Sequence, residues 1–466
     1  MFETVAVPLW LLILIVLFAA VTFASHFLFP SVRWFLRRRA ERVIARLNER
    51  LTRPIEPFKL ARRYDMIQRL IYDPEVSQAI LEYAEQEGVR EDVAFEKART
   101  YAREIVPSFS AFAYFGFGIR AARWLATTLY TVQTGPKNGE VLANLPEDAT
   151  VIFVMNHRSN MDYVLVTYLA GEEAALSYAV GEWARVWPLS RLIKSMGAYF
   201  IRRRSRGLLY RKVLARYIDL STRGGVTQAI FPEGGLSLDG RLAAPKMGLL
   251  SYAVDTYRDD GPEIVFVPVA INYDRVLEDR ILVQAGQNGT RRFQARISVI
   301  LWFILRKLWL RVRGRFMRFG TAAVVYGDPV PISRYAADLR VERLATDLMH
   351  AIQDVMPVLA VPLLSRLLVT ADGPLDAQAL QDAFHGLMTT HPQFAGNPPP
   401  TPDASKAHLE AALQHLLQRR VISQTSDQWV VNPDDLPLLR YYAASIEHDF
   451  AVAEKNNAEN AAPAGS

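Results

Sequence analysis

His157 and Asp162 are the two side chains in this sequence that are best suited to proton transfer. His157 lies in a polar turn, residues 156–160, that follows the apolar run 151–155 and precedes the apolar segment 161–170. This pattern indicates a buried strand that passes through the turn into a helix, with Asp162 in the first helical turn. A carboxylate there could bind one ring nitrogen of a neutral imidazole, fix its tautomer, and stabilise the imidazolium formed when the other nitrogen takes a proton.

The same pair also has a structural explanation. Aspartate in a first helical turn is favoured by the helix dipole alone, and histidine is common in turns. Of the eight histidines, however, only His157 is followed by an aspartate five positions later. Active sites in open α/β sheets usually lie at the carboxyl ends of strands, so the position of the pair favours a general base.

The composition limits the classes of protein to which the chain can belong. Half of its 466 residues are hydrophobic, which is enough for a large core. It contains no cysteine, which excludes disulfides, thiolate catalysis and cysteine metal sites. The formal net charge of +6 includes unevenly placed arginines, a pattern that favours an anionic membrane surface or a phosphorylated substrate over a nucleic acid.

Residues 1–32 are predicted to form a transmembrane anchor and the start of its basic flank. Residues 5–29 carry no charge, and about 20 apolar residues span the hydrocarbon core of a bilayer. Five arginines follow between Arg33 and Arg42, and the positive-inside rule places them in the cytoplasm. We therefore expect one uncleaved span with the rest of the chain in the cytoplasm; a buried core helix is the alternative interpretation.

The rest of the chain divides by pattern into three regions. Residues 33–140 show helical periodicity, residues 141–335 alternate strand-like apolar runs with helices, and residues 336–450 are mostly helical. Strands that alternate with helices predict an α/β fold in which a sheet is flanked by helices. The expected strands are residues 150–155, 198–201, 226–231, 264–271 and 321–326.

Three further segments complete the predicted organisation. A hairpin at 421–431 after two helices gives the C-terminal region a winged-helix-like outline, but without a basic recognition face, so DNA binding is not expected. Residues 451–466 are polar and predicted to be disordered. Residues 297–319 combine arginines with apolar residues, which indicates either an amphipathic helix at the membrane surface or an ordinary surface helix.

Polar residues also lie in or after three other expected strands. Arg202 and Arg203 end the run 198–201, and guanidinium groups bind phosphate through paired hydrogen bonds. Pro268 lies inside the run 264–271, where a proline indicates an edge strand or a bulge. The strand 226–231 is followed by a carboxylate, two glycines, a hydroxyl and two cations: Glu233, Gly234, Gly235, Ser237, Arg241 and Lys246. Taken singly, these features could be solvated charges, a tight turn or a sheet edge.

Together, in this order and spacing, the motifs resemble those of the glycerolipid acyltransferase family. They are Asn156-His-Arg-Ser-Asn-Met-Asp162, Gly197-Ala-Tyr-Phe-Ile-Arg-Arg203, Phe231-Pro-Glu-Gly-Gly-Leu-Ser237 and Val267-Pro-Val-Ala-Ile-Asn272. The second motif and the segments 240–246 and 439–446 are most similar to the bacterial membrane-bound glycerol-3-phosphate acyltransferase branch. The resemblance covers roughly residues 58–450 and leaves out the N-terminal anchor.

The resemblance implies transfer of a fatty acyl group, in phospholipid synthesis at the cell inner membrane. The acyl group would pass from acyl-CoA or acyl carrier protein to the 1-hydroxyl of glycerol 3-phosphate, beside membrane lipids. His157 would be the general base and Asp162 its orienting partner, without a cofactor or a metal. The substrate-binding residues implied are Arg158, Ser159, Arg202, Arg203, Glu233, Gly234, Gly235, Ser237, Arg241, Lys246 and Pro268.

One departure from the branch concerns the acceptor. Arginines usually follow the two glycines, where this chain has Leu236 and Leu238. Their absence weakens the glycerol 3-phosphate assignment and leaves Arg202, Arg203, Arg241 and Lys246 as the candidates for the phosphate. The alternative acceptor is 1-acylglycerol 3-phosphate, against which the long helical and C-terminal additions argue. In a different class, the chain would be a non-catalytic membrane lipid-binding protein, but the intact His157–Asp162 pair and Glu233 favour an enzyme.

Overall fold

A computed structural model describes most of the chain. The described residues are 8–23, 29–136, 138–171, 173–181, 185–186, 189–202, 207–289, 318–371, 373–391, 401–425 and 428–450. Three sequence predictions lie outside them, because residues 297–317, the tail 451–466 and Arg203 are not described. The chain divides into two compact units, Met1–Ile55 and Glu56–Ser466.

The first unit contains two helices, α1 at Leu9–Phe23 and α2 at Phe29–Asn48. The large apolar side chains of residues 9–18 and of Val21 in α1 are exposed. In the described residues, no helix combines the length and the apolar character needed to cross a membrane. The predicted anchor also includes residues 1–7 and 24–28, which lie outside the described part.

The second unit opens with a helical layer. Its helices are α3 Pro57–Leu60, α4 Arg63–Ile71, α5 Pro74–Glu87, α6 Glu91–Ile105, a π-helix Phe112–Gly118 and the continuous α7 Ile119–Leu129. The bounds of α5 follow from local chemistry. The Asp73 side chain caps its first turn by accepting from the Glu75 amide, and Gly88, with φ of 64°, ends it in the left-handed conformation.

An eight-stranded sheet forms the centre of the second unit. Its strands are β1 Thr131–Thr134, β2 Thr150–Met155, β3 Ser177–Val180, β4 Tyr199–Phe200, β5 Gln228–Ile230, β6 Ile264–Tyr273, β7 Thr321–Tyr326 and β8 Val330–Pro331. The order is β1-β7-β6-β2-β5-β3-β4, with β8 also paired to β6. β6, β2, β5, β3 and β4 are mutually parallel, whereas β7 is antiparallel to β6. The predicted α/β fold is thus confirmed, with a mixed sheet.

Helices connect and cover the strands. They are α8 Asn138–Ala143, α9 Met161–Gly171, α10 Leu189–Ser195, α11 Leu208–Arg223, α12 Gly248–Val254, α13 Asp279–Gln287 and a 3-10 helix Ile332–Asp338. All six residues of β2 and all ten of β6 are buried. Near-continuous burial of this kind is typical of parallel strands that are covered on both faces.

The C-terminal region is mostly helical and includes the predicted hairpin. Its helices are α14 Val341–Asp354, α15 Ala360–Thr370, α16 Ala377–Thr390, α17 Pro402–Gln418, a 3-10 helix Pro433–Asp435 and α18 Leu436–Ala443. Its strands β9 Leu375–Asp376, β10 Ile422–Thr425 and β11 Gln428–Val431 form a separate antiparallel sheet. Leu409, Leu439 and Phe450 share one buried cluster with Phe153 and Val269 of the central sheet.

Pro268 lies in the interior of the sheet, so the edge position that its sequence context suggested is wrong. β6 pairs with β2 on one side, where Pro268 lies opposite Val154. On the other side the partner changes from β7 to β8 at this point, and the Gly327 amide donates to the Pro268 carbonyl at 2.8 Å. The missing N–H of proline therefore falls at an interruption of the ladder.

Candidate active site

Asn156 fixes the point at which the chain leaves β2. Its Oδ1 accepts from the Ile271 amide at 2.7 Å, and its Nδ2 donates to the Ile271 carbonyl at 2.9 Å. The side chain is fully buried, so both hydrogen bonds are shielded from water. This pair of bonds ties the carboxyl end of β2 to β6 and holds the turn that follows.

His157 and Asp162 form the dyad predicted from their spacing. The His157 Nδ1 lies 2.9 Å from the Asp162 Oδ2, and both side chains are buried, with exposed fractions of 2% and 0%. The same carboxylate oxygen accepts from the amides of Arg158 at 2.7 Å and Ser159 at 3.0 Å. An ionised Asp162 requires the proton on Nδ1, which leaves the Nε2 lone pair to act as the base.

Three rings surround the dyad. The Tyr273 hydroxyl donates to the Asp162 Oδ1 at 2.5 Å. The Phe231 ring lies 4.3 Å from the imidazole, centroid to centroid, and the Tyr163 ring meets it edge-on at 5.4 Å. Phe231 and Tyr163 give the histidine an apolar surrounding in which electrostatic effects are strong.

Glu233 links the turn 156–160 to the loop after β5. One carboxylate oxygen accepts from the His157 amide at 2.7 Å and the other from the Ala243 amide at 2.9 Å. The Ser237 amide in turn donates to the His157 carbonyl at 2.9 Å. Burial raises the pKa of Glu233 to about 7, although both amides act in the opposite direction.

Glu278 is a site residue that sequence reasoning missed. This buried carboxylate precedes α13 and accepts from the Ser159 hydroxyl at 2.7 Å and from the Asn160 side-chain amide at 2.9 Å. Burial raises its pKa, and its hydrogen bonds act in the opposite direction. A carboxylate pair, Glu278 and Asp279, soon after a predicted strand was the available signal.

Arg158 carries the buried positive charge closest in sequence to the dyad. One of its Nη atoms donates to the Gly240 carbonyl at 2.7 Å, and its guanidinium lies 5.2 Å from the Tyr441 ring centroid. Its Nε and its other Nη find no hydrogen-bond partner among the residues that the structure describes. Buried donors are normally paired, so these two could bind an anionic group.

Arg202 is not brought to the dyad. It follows β4, which lies three strands away from β2, and neighbouring strands are spaced by about 4.8 Å. Its guanidinium binds the Glu104 carboxylate at 2.7 Å, and Arg185 binds the same carboxylate at 2.8 Å.

The remaining predicted residues occupy the loop after β5. Arg241 is exposed and paired with Glu447 at 2.6 Å. Gly234 takes a φ of 66°, and a Cβ there would lie 2.7 Å from the Lys246 Cδ, so the lysine stem crosses this glycine. Gly235, Leu236 and Leu238 are half-buried in the same loop, and the two leucines pack against the core. The Ser237 hydroxyl donates to the Arg241 carbonyl at 2.8 Å, which closes the loop.

The described part of the chain contains no group of three or more His, Asp or Glu residues that could hold a metal ion. The dyad can transfer a proton, and the two Arg158 donors without a partner in the described residues can bind an anion.

Comparison with known proteins defines the class to which this fold and site belong. The Acyltransferase family model matches residues 139–272, which contain the dyad, Glu233 and most of β6. The chain therefore contains an acyltransferase domain, and the resemblance to glycerolipid acyltransferases is confirmed.

Curated relatives are similar over most of this chain. The glycerol-3-phosphate acyltransferase of Pseudomonas syringae pv. tomato is 26% identical over 430 residues, covering 84% of this chain and 49% of that protein. That of Aeromonas hydrophila subsp. hydrophila is 27% identical over 423 residues, covering 84% and 51%. This chain thus spans about half the length of these relatives. Among solved structures, a 1-acyl-sn-glycerophosphate acyltransferase from Thermotoga maritima has 22% identity and a TM-score of 0.33, covering 52% of this chain and 76% of that one.

Proposed function

We propose that the chain is a glycerol-3-phosphate 1-O-acyltransferase of phospholipid synthesis. The observation that carries the proposal is the buried His157–Asp162 dyad at the carboxyl end of β2, with Nδ1 engaged and Nε2 left as the base. The names of the curated relatives support glycerol 3-phosphate as the acceptor. An aligned base of this kind contributes typically about 10²–10⁴-fold to a rate.

The reaction follows from this geometry. The His157 Nε2 takes the proton of the acceptor 1-hydroxyl while the oxygen forms a bond to the thioester carbonyl carbon. The tetrahedral intermediate then breaks its carbon–sulfur bond, and the imidazolium returns the proton to the thiolate. The products are the 1-acyl ester and the free thiol, so atoms and charge balance without a covalent acyl-enzyme.

Arg158 is the best-placed cation for the acceptor phosphate. It follows the base directly, is buried, and has two donors without a partner in the described residues. Lys246 lies over Gly234 in the loop that Glu233 ties to His157. Arg241 would have to leave Glu447 before it could bind a phosphate. We therefore assign the phosphate primarily to Arg158 and Lys246, in the place of the arginines that Leu236 and Leu238 replace.

An acceptor comparison tests this proposal. Purified protein is supplied with palmitoyl-CoA or palmitoyl-acyl carrier protein, and with glycerol 3-phosphate or 1-acylglycerol 3-phosphate. We expect turnover of glycerol 3-phosphate, and in Arg158→Lys a rise of its KM by roughly ten- to a hundredfold, because charge-assisted hydrogen bonds are lost. The thioester KM should stay unchanged. Arg340→Ala, which removes an exposed arginine paired with Asp338, is the control. Preference for the lysolipid would overturn the acceptor assignment.

We also propose that the protein is held in the cell inner membrane by a single span within residues 1–32, with the catalytic domain in the cytoplasm. The support is the uncharged run 5–29 followed by five arginines. An acyl product that is soluble in lipid favours a site beside the bilayer and contact with membrane lipids. Residues 336–450 are proposed to be a winged-helix-like C-terminal region.

A further inference from the structure

The two carboxylate oxygens of Asp162 have different partners. Oδ2 accepts from the His157 Nδ1 and from the amides of Arg158 and Ser159, at 2.7–3.0 Å. Oδ1 accepts from the Tyr273 hydroxyl at 2.5 Å, which is a short hydrogen bond even for a charged acceptor. Tyr273 ends β6 and is 111 residues away from Asp162 in sequence.

Tyr273 is built as a fixed donor. Its side chain is fully buried, and its ring packs against the Tyr130 ring at 5.4 Å, centroid to centroid. Burial, followed by the negative charge of Asp162, raises the pKa of this phenol well above its ordinary value. The hydroxyl therefore remains protonated and can donate a hydrogen bond to the carboxylate at any pH at which the enzyme works.

We infer that Tyr273 is a positioning residue that sets the orientation and the residual negative charge of Asp162, and through Asp162 the proton affinity of His157. The inference rests on the proposed role of His157 as the base. A carboxylate that shares its charge with a strong donor attracts the imidazolium less than an unshared one. Tyr273 thus lowers the proton affinity of the histidine while it holds the carboxylate in place.

Other charged and titratable groups lie around the dyad and are retained in Tyr273→Phe. They are Arg158, Tyr163, Glu233, Glu278, Tyr130 and Tyr441. A difference between the wild type and a variant at position 273 therefore reports on the Tyr273 hydroxyl.

The test compares Tyr273→Phe with Tyr130→Phe. Tyr130 is also fully buried, but its hydroxyl donates to the Arg275 carbonyl at 2.8 Å, so its removal breaks a buried hydrogen bond without touching Asp162. The first readout is the NMR titration of the His157 ring in full-length, histidine-labelled protein, with His157→Ala providing the assignment. The second is the pH profile of kcat/KM.

In Tyr273→Phe we expect the His157 ring to titrate at a higher pH than in the wild type, because the hydrogen bond that shares the charge of the Asp162 carboxylate is lost. The acid limb of the pH profile should move in the same direction. Incorporation of 3-fluorotyrosine at position 273, a stronger donor of nearly the same shape, should move both readouts to lower pH. Tyr130→Phe should move neither.

An unchanged His157 titration in Tyr273→Phe, or an equal movement in Tyr130→Phe, would overturn the inference. If the phenylalanine variant does not fold, the fluorotyrosine result decides alone, because it preserves the hydrogen bond. The titration does not depend on turnover. A protein without acyltransferase activity in which His157 still responds to Tyr273 would refute the proposed function and leave this inference standing.

Discussion

At the scale of single residues, buried carboxylates hold the backbone of the turn 156–160. Four consecutive amides donate to three buried carboxylates: His157 to Glu233, Arg158 and Ser159 to Asp162, and Asn160 to Glu278. Buried amides without partners would be costly, so this arrangement stabilises the turn before any substrate binds. It also occupies these amides, so in the proposed reaction the donors that stabilise the oxyanion must be other groups.

Glu233 should make stability depend on pH. Its pKa is raised from 4.5 to about 7 by burial, so the folded state holds this proton more tightly than the unfolded state does. The stabilisation of the folded state by the protonated Glu233 is therefore fully present below the unfolded-state pKa of 4.5. It is lost as the pH rises through the folded-state pKa of about 7. The difference corresponds to about 3 kcal/mol.

Chemical unfolding of wild type and Glu233→Gln at pH 4.5 and pH 8 measures this contribution. We expect the free energy of unfolding to fall less between these two pH values in the variant than in the wild type. Glu410→Gln, at an exposed position of α17, should behave as the wild type. The same pH dependence in Glu233→Gln and wild type would show that Glu233 does not titrate in this range.

The dyad could be predicted from the sequence because it is local. Asp162 follows His157 by five positions, and a strand–turn–helix pattern brings the two side chains together whatever the rest of the chain does. Tyr273 and Glu278 are 111 and 119 residues away from their partners, so their positions depend on which strands become neighbours. No short-range pattern carries that information.

At the scale of elements, the order of strands in the sheet determines which predicted residues meet. The five expected strands are present, but their sequence order does not give their spatial order. β6 lies beside β2 and brings Tyr273 to Asp162, whereas β4 lies at the far edge and carries Arg202 away. Arg202 instead joins the sheet to the helical layer through Glu104.

Asn156 links the end of β2 to β6, and we expect this link to be sensitive to a substitution that barely changes the size of the side chain. Asn156→Asp keeps the size of the side chain but cannot donate to the Ile271 carbonyl when ionised, and it places a charge in a buried position. We expect the free energy of unfolding to fall by about 1–3 kcal/mol and activity to fall with it.

Urea unfolding compares this variant with Asn144→Asp, which makes the same chemical change at an exposed position after α8. If both variants lose the same small amount, the link between β2 and β6 does not hold the site together.

At the scale of the whole molecule, the C-terminal region belongs to the same compact unit as the His157–Asp162 dyad. α18 places Tyr441 against Arg158, while the next residue, Tyr442, donates from its hydroxyl to the Asp279 carboxylate at 2.5 Å. Asp279 follows Glu278, whose carboxylate binds Ser159 in the turn 156–160. Leucines of the C-terminal region share the core of the central sheet. We therefore expect removal of the C-terminal region to unfold the domain rather than to release an accessory module.

The proposed single span gives a prediction about topology. Reporters fused after Arg42 and at the C-terminus should both give cytoplasmic signals, because five arginines directly follow the uncharged run. A fusion at residue 4 should give a periplasmic signal and serves as the matched control. A periplasmic signal at either of the first two positions would contradict the proposed topology.

The most direct test of the central claim is acyl transfer to glycerol 3-phosphate by wild type, His157→Ala and His408→Ala. His408 is exposed on α17 and controls for the loss of an imidazole elsewhere. We predict that wild type and His408→Ala form 1-acylglycerol 3-phosphate at equal rates, and that His157→Ala is slower by about 10²–10⁴-fold while remaining folded. A folded His157→Ala protein with activity within a few-fold of wild type would contradict the account.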